Sequence, residues 1–292
     1  MLSRYWKPIG SILILLVTIS VCIYFFKSHP QIGDQLKHTS VRTLLTVLFL
    51  YLLFMAALGL ITNSTVAICR GAIPMGETFL LTAYSSIINF FGPLQSGPAF
   101  RALYLKKKYN VSVKNYALAS ILYYLLYAMF SGLLLISAFI GWFFTAVLAI
   151  VGLVVFYYLP RLPIKKFQQL KTLDLKGVPL LTVATFLQVW VLVLIFYTEL
   201  HSVNPAVTLS QAAIYTGAAN FALFVSITPG AIGFREAFVL FTQHLHHIDN
   251  ATIVAASLID RGVYVAMLLL LVVLIFGSQG GRKLRSLKST SK

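Results

Sequence analysis

The chain has 292 residues, 59% of them hydrophobic and 10% charged, with 23 Lys and Arg against 7 Asp and Glu and a formal net charge of +16. A mean hydropathy of +0.88 excludes a soluble domain and points to a polytopic membrane protein. The seven acids (Asp34, Glu77, Asp174, Glu199, Glu236, Asp249 and Asp260) form no motif that would hold Mg²⁺ on a phosphate, and G-x-S-x-G, H-E-x-x-H and glycine-rich nucleotide loops are missing from the sequence. No enzymatic activity, cofactor, metal or nucleic-acid partner is therefore expected, nor ATP-driven pumping.

Crossing about 30 Å of hydrocarbon takes roughly 20 helical residues. In chain order the apolar windows predict spans at 9 to 26, 43 to 68, 115 to 137, 139 to 158, 178 to 200 and 252 to 276. The first is too long for a signal-peptide core and is followed by no small-residue cleavage site, so it reads as an anchor. Two further apolar runs, 75 to 91 and 210 to 227, each end at a Pro/Gly break followed by an amphipathic piece. These are expected to be re-entrant hairpins that enter and leave on one side. The expected fold is thus all-α, with six full spans and two broken-helix hairpins.

Charge placement orients this arrangement. The segments around Arg4 and Lys7, Arg70 and Lys106 to Lys114, Arg161 to Lys176, and Arg282 to Lys292 hold most of the 23 basic residues. The positive-inside bias puts them, and both termini, in the cytoplasm. Lys27, Lys37 and Arg42 fall on the other side, leaving Arg101, Arg235 and Arg261 at membrane depth. The halves, about 43–158 and 178–276, each read span, hairpin, span, the second inverted relative to the first. A basic cytoplasmic linker joins them. The single transmembrane domain is expected over 1–280, with a polar, disordered cytoplasmic tail over 281–292 that begins to lose its apolar pattern after Gly277.

The two breaks carry the functional signal. Asn89 to Arg101 reads NFFGPLQSGPAFR, and Pro229 to Phe238 reads PGAIGFREAF. In hydrocarbon every backbone polar group needs a partner, so irregular backbone survives only beside protein or a water-filled cavity. Pro93, Gly97, Pro98, Pro229, Gly230 and Gly233 are the helix-breaking residues, and a helix restarting near Phe234 places Arg235 in its first turn. An Arg near the membrane centre costs about 2.5–3.5 kcal/mol on insertion scales, so three of them require a polar cavity with an anion or carboxylate partners. Phosphate suits them, because guanidinium binds it bidentately and stays charged. Arg101, Arg235 and Arg261 are the candidate headgroup ligands, Glu236 the residue that orients Arg235, Asp260 a candidate protonatable coupling group or salt-bridge partner, and Asn89 and Asn220 candidate amides beside the breaks.

Other features weigh less. Asp260 and Arg261 are adjacent, so on a helix they diverge by about 100° and are expected to serve different partners, one of them facing the cavity. Tyr116, Tyr123 and Tyr127 recur at helical spacing and line either a groove or a packing face. Ala213 and Gly217 allow close helix approach. His244 and His247, with His246 and Asp249 nearby, read as an interfacial polar face rather than a metal site or pH sensor.

The segment Pro229-Gly-Ala-Ile-Gly-Phe-Arg-Glu236 resembles the PGGxGxRE signature of the flippase-like membrane domain attached to lysylphosphatidylglycerol synthases, a domain that also occurs alone in bacterial and archaeal proteins. The resemblance covers nearly the whole chain, with Asn89, the Pro93 to Arg101 break and Arg261. The family's upstream break resembles P-x-R-x-G-[DE]-x-x-R; Pro93, Gly97 and Arg101 fit, while Gln95 replaces the Arg and Pro98 the acid. The resemblance implies a multi-pass protein of a bacterial or archaeal cytoplasmic membrane that acts as a flippase or scramblase for an anionic phospholipid or a polyprenyl-phosphate-linked lipid. No aminoacyl-transferase segment follows, so synthase activity is not expected. The other two readings are an ion-coupled transporter of a small soluble anion and a non-transporting partner of a lipid-modifying enzyme.

Overall fold

A computed structural model describes residues 37–91, 96–158, 172–225 and 234–289, together with Lys27 and Gln35. Among the described residues the chain is helical, without a strand. The expected span at 9 to 26 lies outside them, as do Pro93, Pro229, Gly230 and Gly233.

Helix α1 (Val41–Ile68) starts where the Ser40 hydroxyl accepts the Thr43 N–H at 3.1 Å. It ends where Arg70, with φ 59°, turns its N–H back to the Ala67 carbonyl. Two shorter helices follow, α2 (Met75–Phe91) and α3 (Ser96–Tyr109). Helix α3 runs back along α2. Ser96 donates to the Ile88 carbonyl at 3.2 Å near the tip, and Tyr104, Lys108 and Tyr109 all bond Glu77 at the open end. Gly97 permits the close approach: a Cβ there would stand 2.5 Å from the Ser85 carbonyl oxygen. Gly97 and Pro98 belong to the first turn of α3, where proline is tolerated, rather than to the interruption itself.

Helix α4 (Val113–Tyr158) has 46 residues, about 69 Å of helix at 1.5 Å per residue, twice what a bilayer needs. It breaks at Gly141, with φ 74° and ψ 166°, a conformation that glycine adopts without strain. Met129 Sδ lies 2.9 Å from where a Cβ on Gly152 would stand, so the two legs lie side by side. The sequence places this boundary at residue 138; the fold moves it to the glycine. The second leg leaves Phe143, Phe144, Val151 and Val155 exposed, as a lipid-facing helix does.

The second half opens with a 3₁₀ turn (Leu175–Gly177) leading into α5 (Val178–Val203). Helix α6 (Leu209–Val225), α7 (Phe234–Phe241) and the single turn α8 (Gln243–His246) form another helical hairpin. His246 packs 5.6 Å from the Tyr215 ring on α6 and its Nε2 meets the Val239 carbonyl at 3.1 Å. His246 is buried in the core, while His244 and His247, the pair behind the expected polar face, are exposed. Helix α9 (Asn250–Ser289) starts where Asp249 accepts the Thr252 N–H at 2.9 Å. It continues to Ser289; Lys, Arg and Leu are good helix formers, and no proline interrupts the stretch.

Helices α1 and α5 pack against each other most extensively and carry the centre of the core, including Met55, Ile61, Leu181, Ile195 and Leu200. Hydroxyls buried along α1 are satisfied within the helix, as where Ser64 donates to the Leu60 carbonyl at 2.7 Å. Helices α1, α4, α5 and α9 are long and apolar enough to cross a membrane. The order long helix, hairpin, long helix occurs twice, and the two hairpins flank the α1–α5 core.

Candidate functional site

The arms of both hairpins converge on one cavity of about 250 Å³. From the first hairpin it receives Asn89, Gly97, Pro98 and Arg101; from the second, Ala219, Asn220 and Arg235; from α9, Asp260, Arg261 and Tyr264. Residues 92–95 and 226–233, which join the arms, lie outside the described residues, and the side chain of Glu236 does too. The arms themselves suffice to define the walls.

Arg101 stands one turn into α3. Its Nη1 donates to Thr62 Oγ1 on α1 at 3.0 Å, and Thr82 on α2 donates to the same oxygen at 3.2 Å. Its Nε is buried and makes no hydrogen bond, and among the described residues no carboxylate pairs with it. The nearby Asn89 Oδ1 is likewise buried without a hydrogen bond. Asn220, 1% exposed, donates to Ser131 Oγ at 3.1 Å and so braces α6 against α4.

Arg235 is held differently. Its Nη2 pairs with Asp260 Oδ2 at 2.5 Å, its guanidinium stacks 5.6 Å over the Phe196 ring of α5, and the Tyr51 hydroxyl donates to the other Asp260 oxygen. Asp260, 25 residues downstream on another helix, thus takes the salt-bridge role that was one of its two sequence readings. Helix α9 brings Asp260 to Arg235 across the intervening chain. Asp260 and Arg261 both line the cavity, which wraps around this side of α9.

Aromatic residues form the rest of the wall. Tyr123, Tyr124 and Tyr127 contribute from α4, and the Tyr123 hydroxyl pairs with the Gln188 amide of α5 at 3.1 Å. Tyr116 is buried in a separate cluster with Val66 and Leu105. Three guanidinium groups against one carboxylate give the wall a surplus of positive charge, and its pattern of apolar surface with few polar groups is that of a ligand site.

Sequence reasoning missed Tyr51, Thr62, Gln188, Phe196 and Glu199. Glu199 carried a readable signal, an acid inside an apolar span, which is a functional candidate by default. The other four are ordinary in sequence and acquire meaning only from the contacts that the fold creates.

A family model described as Lysylphosphatidylglycerol synthase TM region matches residues 10–271. No curated protein and no solved structure matches the chain.

Proposed function

The chain belongs to the lysylphosphatidylglycerol synthase TM region family, and from that premise we propose that it is a flippase or scramblase that moves an anionic phospholipid, or a polyprenyl-phosphate-linked lipid, across a bacterial or archaeal cytoplasmic membrane. In this reading the two hairpins are re-entrant, the first opening at the Lys106–Lys108 side and the second opposite. Their tips meet inside the bilayer, in the inverted-repeat arrangement that lets one site be reached alternately from either face. The headgroup occupies the cavity while its chains stay in lipid.

One observation carries the reading: Arg101 lines a cavity with two other arginines and is held there by a neutral hydroxyl, its charge uncompensated by any described carboxylate. A guanidinium at that depth is stable only with an anion, and a lipid phosphate is the anion that a bilayer supplies. Arg101 and Arg261 bind the phosphate, Asn89 contributes its amide, and Arg235 joins from its place on Asp260.

The test is headgroup movement in proteoliposomes containing labelled phosphatidylglycerol and an impermeant quencher. Quenching of both leaflets in the presence of the protein supports the proposal. Uptake of soluble phosphate without lipid movement would assign the site to a small-anion transporter. Neither activity would leave the role of a partner to a lipid-modifying enzyme.

A further inference from the structure

Behind the cavity wall lies an acid that the lipid site leaves unused. Glu199, near the end of α5, is wholly buried, and neither of its carboxyl oxygens makes a hydrogen bond. Phe196, one turn earlier on the same helix face, does line the cavity, and the Arg235 guanidinium stacks over its ring while pairing with Asp260. Arg235 therefore sits between the Asp260 carboxylate and the face of α5 that carries Glu199.

Each element packed around this point contributes a group. Helix α1 brings Tyr51, α6 brings Tyr215, α7 brings Arg235 and α9 brings Asp260, all within electrostatic range of Glu199. Helix α4 meets α5 three turns away through Tyr123 and Gln188, and the 3₁₀ turn lies at the far end. On α5 itself the nearest titratable group, His201, is engaged with the Val207 carbonyl at 3.1 Å. An ionised carboxylate whose oxygens accept nothing forfeits several kcal/mol of hydration, and Asp260 already holds the guanidinium that would compensate it.

We propose that Glu199 is a proton-binding site that controls how Arg235 is shared between protein carboxylates and the transported anion. With the proton on, Glu199 is a neutral acid, Arg235 rests on Asp260, and the cavity keeps its positive surplus for a phosphate. When the proton leaves to cavity water past Asp260, the O–H bond breaks heterolytically, giving a carboxylate and a hydrated proton. The new anion draws Arg235 toward α5, the local charge falls by one, and the phosphate is released. Proton and headgroup binding are thus linked with the same sign. The consequence for transport rests on the lipid-moving function proposed above; the protonation itself does not.

Infrared difference spectra of the lipid-reconstituted protein after a pH jump read the site directly. The expected result is a protonated-carboxyl band that shifts in D₂O and is lost in Glu199→Gln; Glu199→Asp, which keeps an acid on a shorter stem, displaces the band instead. In proteoliposomes the wild type should move lipid at a rate that responds to an imposed pH gradient, and Glu199→Gln at a rate indifferent to it. Lipid movement indifferent to the gradient in the wild type, with a band unchanged in both variants, overturns the proton site and leaves the lipid function standing. If no lipid moves at all, the function proposed above fails and the band alone decides: its loss in Glu199→Gln upholds the site, and its persistence removes it.

Discussion

The two hairpins place an arginine at the same cavity by opposite means. In the first, Arg101 is held by the Thr62 hydroxyl, and the acid of that hairpin, Glu77, is spent at the open end on Tyr104, Lys108 and Tyr109. In the second, Arg235 meets a carboxylate at the tip itself, Asp260, and the open end is closed by His246 and by the Asp249 cap. The contrast teaches that burial alone does not define a ligand. A guanidinium paired with a buried acid stabilises the fold, and one held by a neutral hydroxyl keeps its charge for an incoming anion.

The largest expected effect follows from breaking the buried pair. Asp260→Ala strands Arg235 and should cost about 3–5 kcal/mol of stability, read as an earlier thermal unfolding transition in detergent. Arg101→Gln is the counterpart. It loses a charged hydrogen bond of about 1.5–3 kcal/mol but is relieved of an insertion penalty of about 2.5–3.5 kcal/mol, so unfolding should barely move. Its lipid flux, in contrast, should fall about 10–100-fold, the kinetic equivalent of one charge-assisted hydrogen bond to phosphate. Equal destabilisation by the two substitutions would break the contrast between the hairpins.

Gly97→Ala sharpens the first hairpin's side of it. The added Cβ would meet the Ser85 carbonyl oxygen at 2.5 Å, so the arms must part, at a cost of about 1–3 kcal/mol. Parting them moves Arg101 away from Thr62, and flux should drop together with stability, unlike in Arg101→Gln. The smallest effect belongs to Glu77→Gln. Burial raises the Glu77 carboxyl, but hydrogen bonds from Lys108, Tyr104 and Tyr109 outweigh it and hold the group down at about 2, below its ordinary 4.5. A depressed carboxyl stabilises the fold above its ordinary value and loses that contribution as pH falls through the depressed one. The small Tm advantage of the wild type over Glu77→Gln should therefore shrink as pH falls from about 4.5 towards 2. A constant difference would mean that the clamp is packing rather than charge.

Much of this architecture was legible before any coordinates. Apolar windows found α1, α5 and the membrane part of α9, because hydropathy over 20 residues is a strong signal. The rarity of charge in apolar sequence picked out Arg101, Arg235 and Arg261, all of which the fold brings to one cavity. Contacts between distant segments were not legible. Asp260 lies 25 residues from Arg235, and Thr62 lies 39 from Arg101, separations to which no local pattern points. Glu199 was overlooked because single acids near the end of a span resemble interfacial residues; only its burial, 0% exposed, distinguishes it.

The central claim is that the cavity between the hairpin tips holds a lipid phosphate on Arg101. Native mass spectrometry of protein purified in mild detergent measures this directly. The account predicts an anionic phospholipid retained by the wild type and by Glu77→Gln but lost from Arg101→Gln. Equal retention by all three, or no anionic lipid on the wild type, would contradict it.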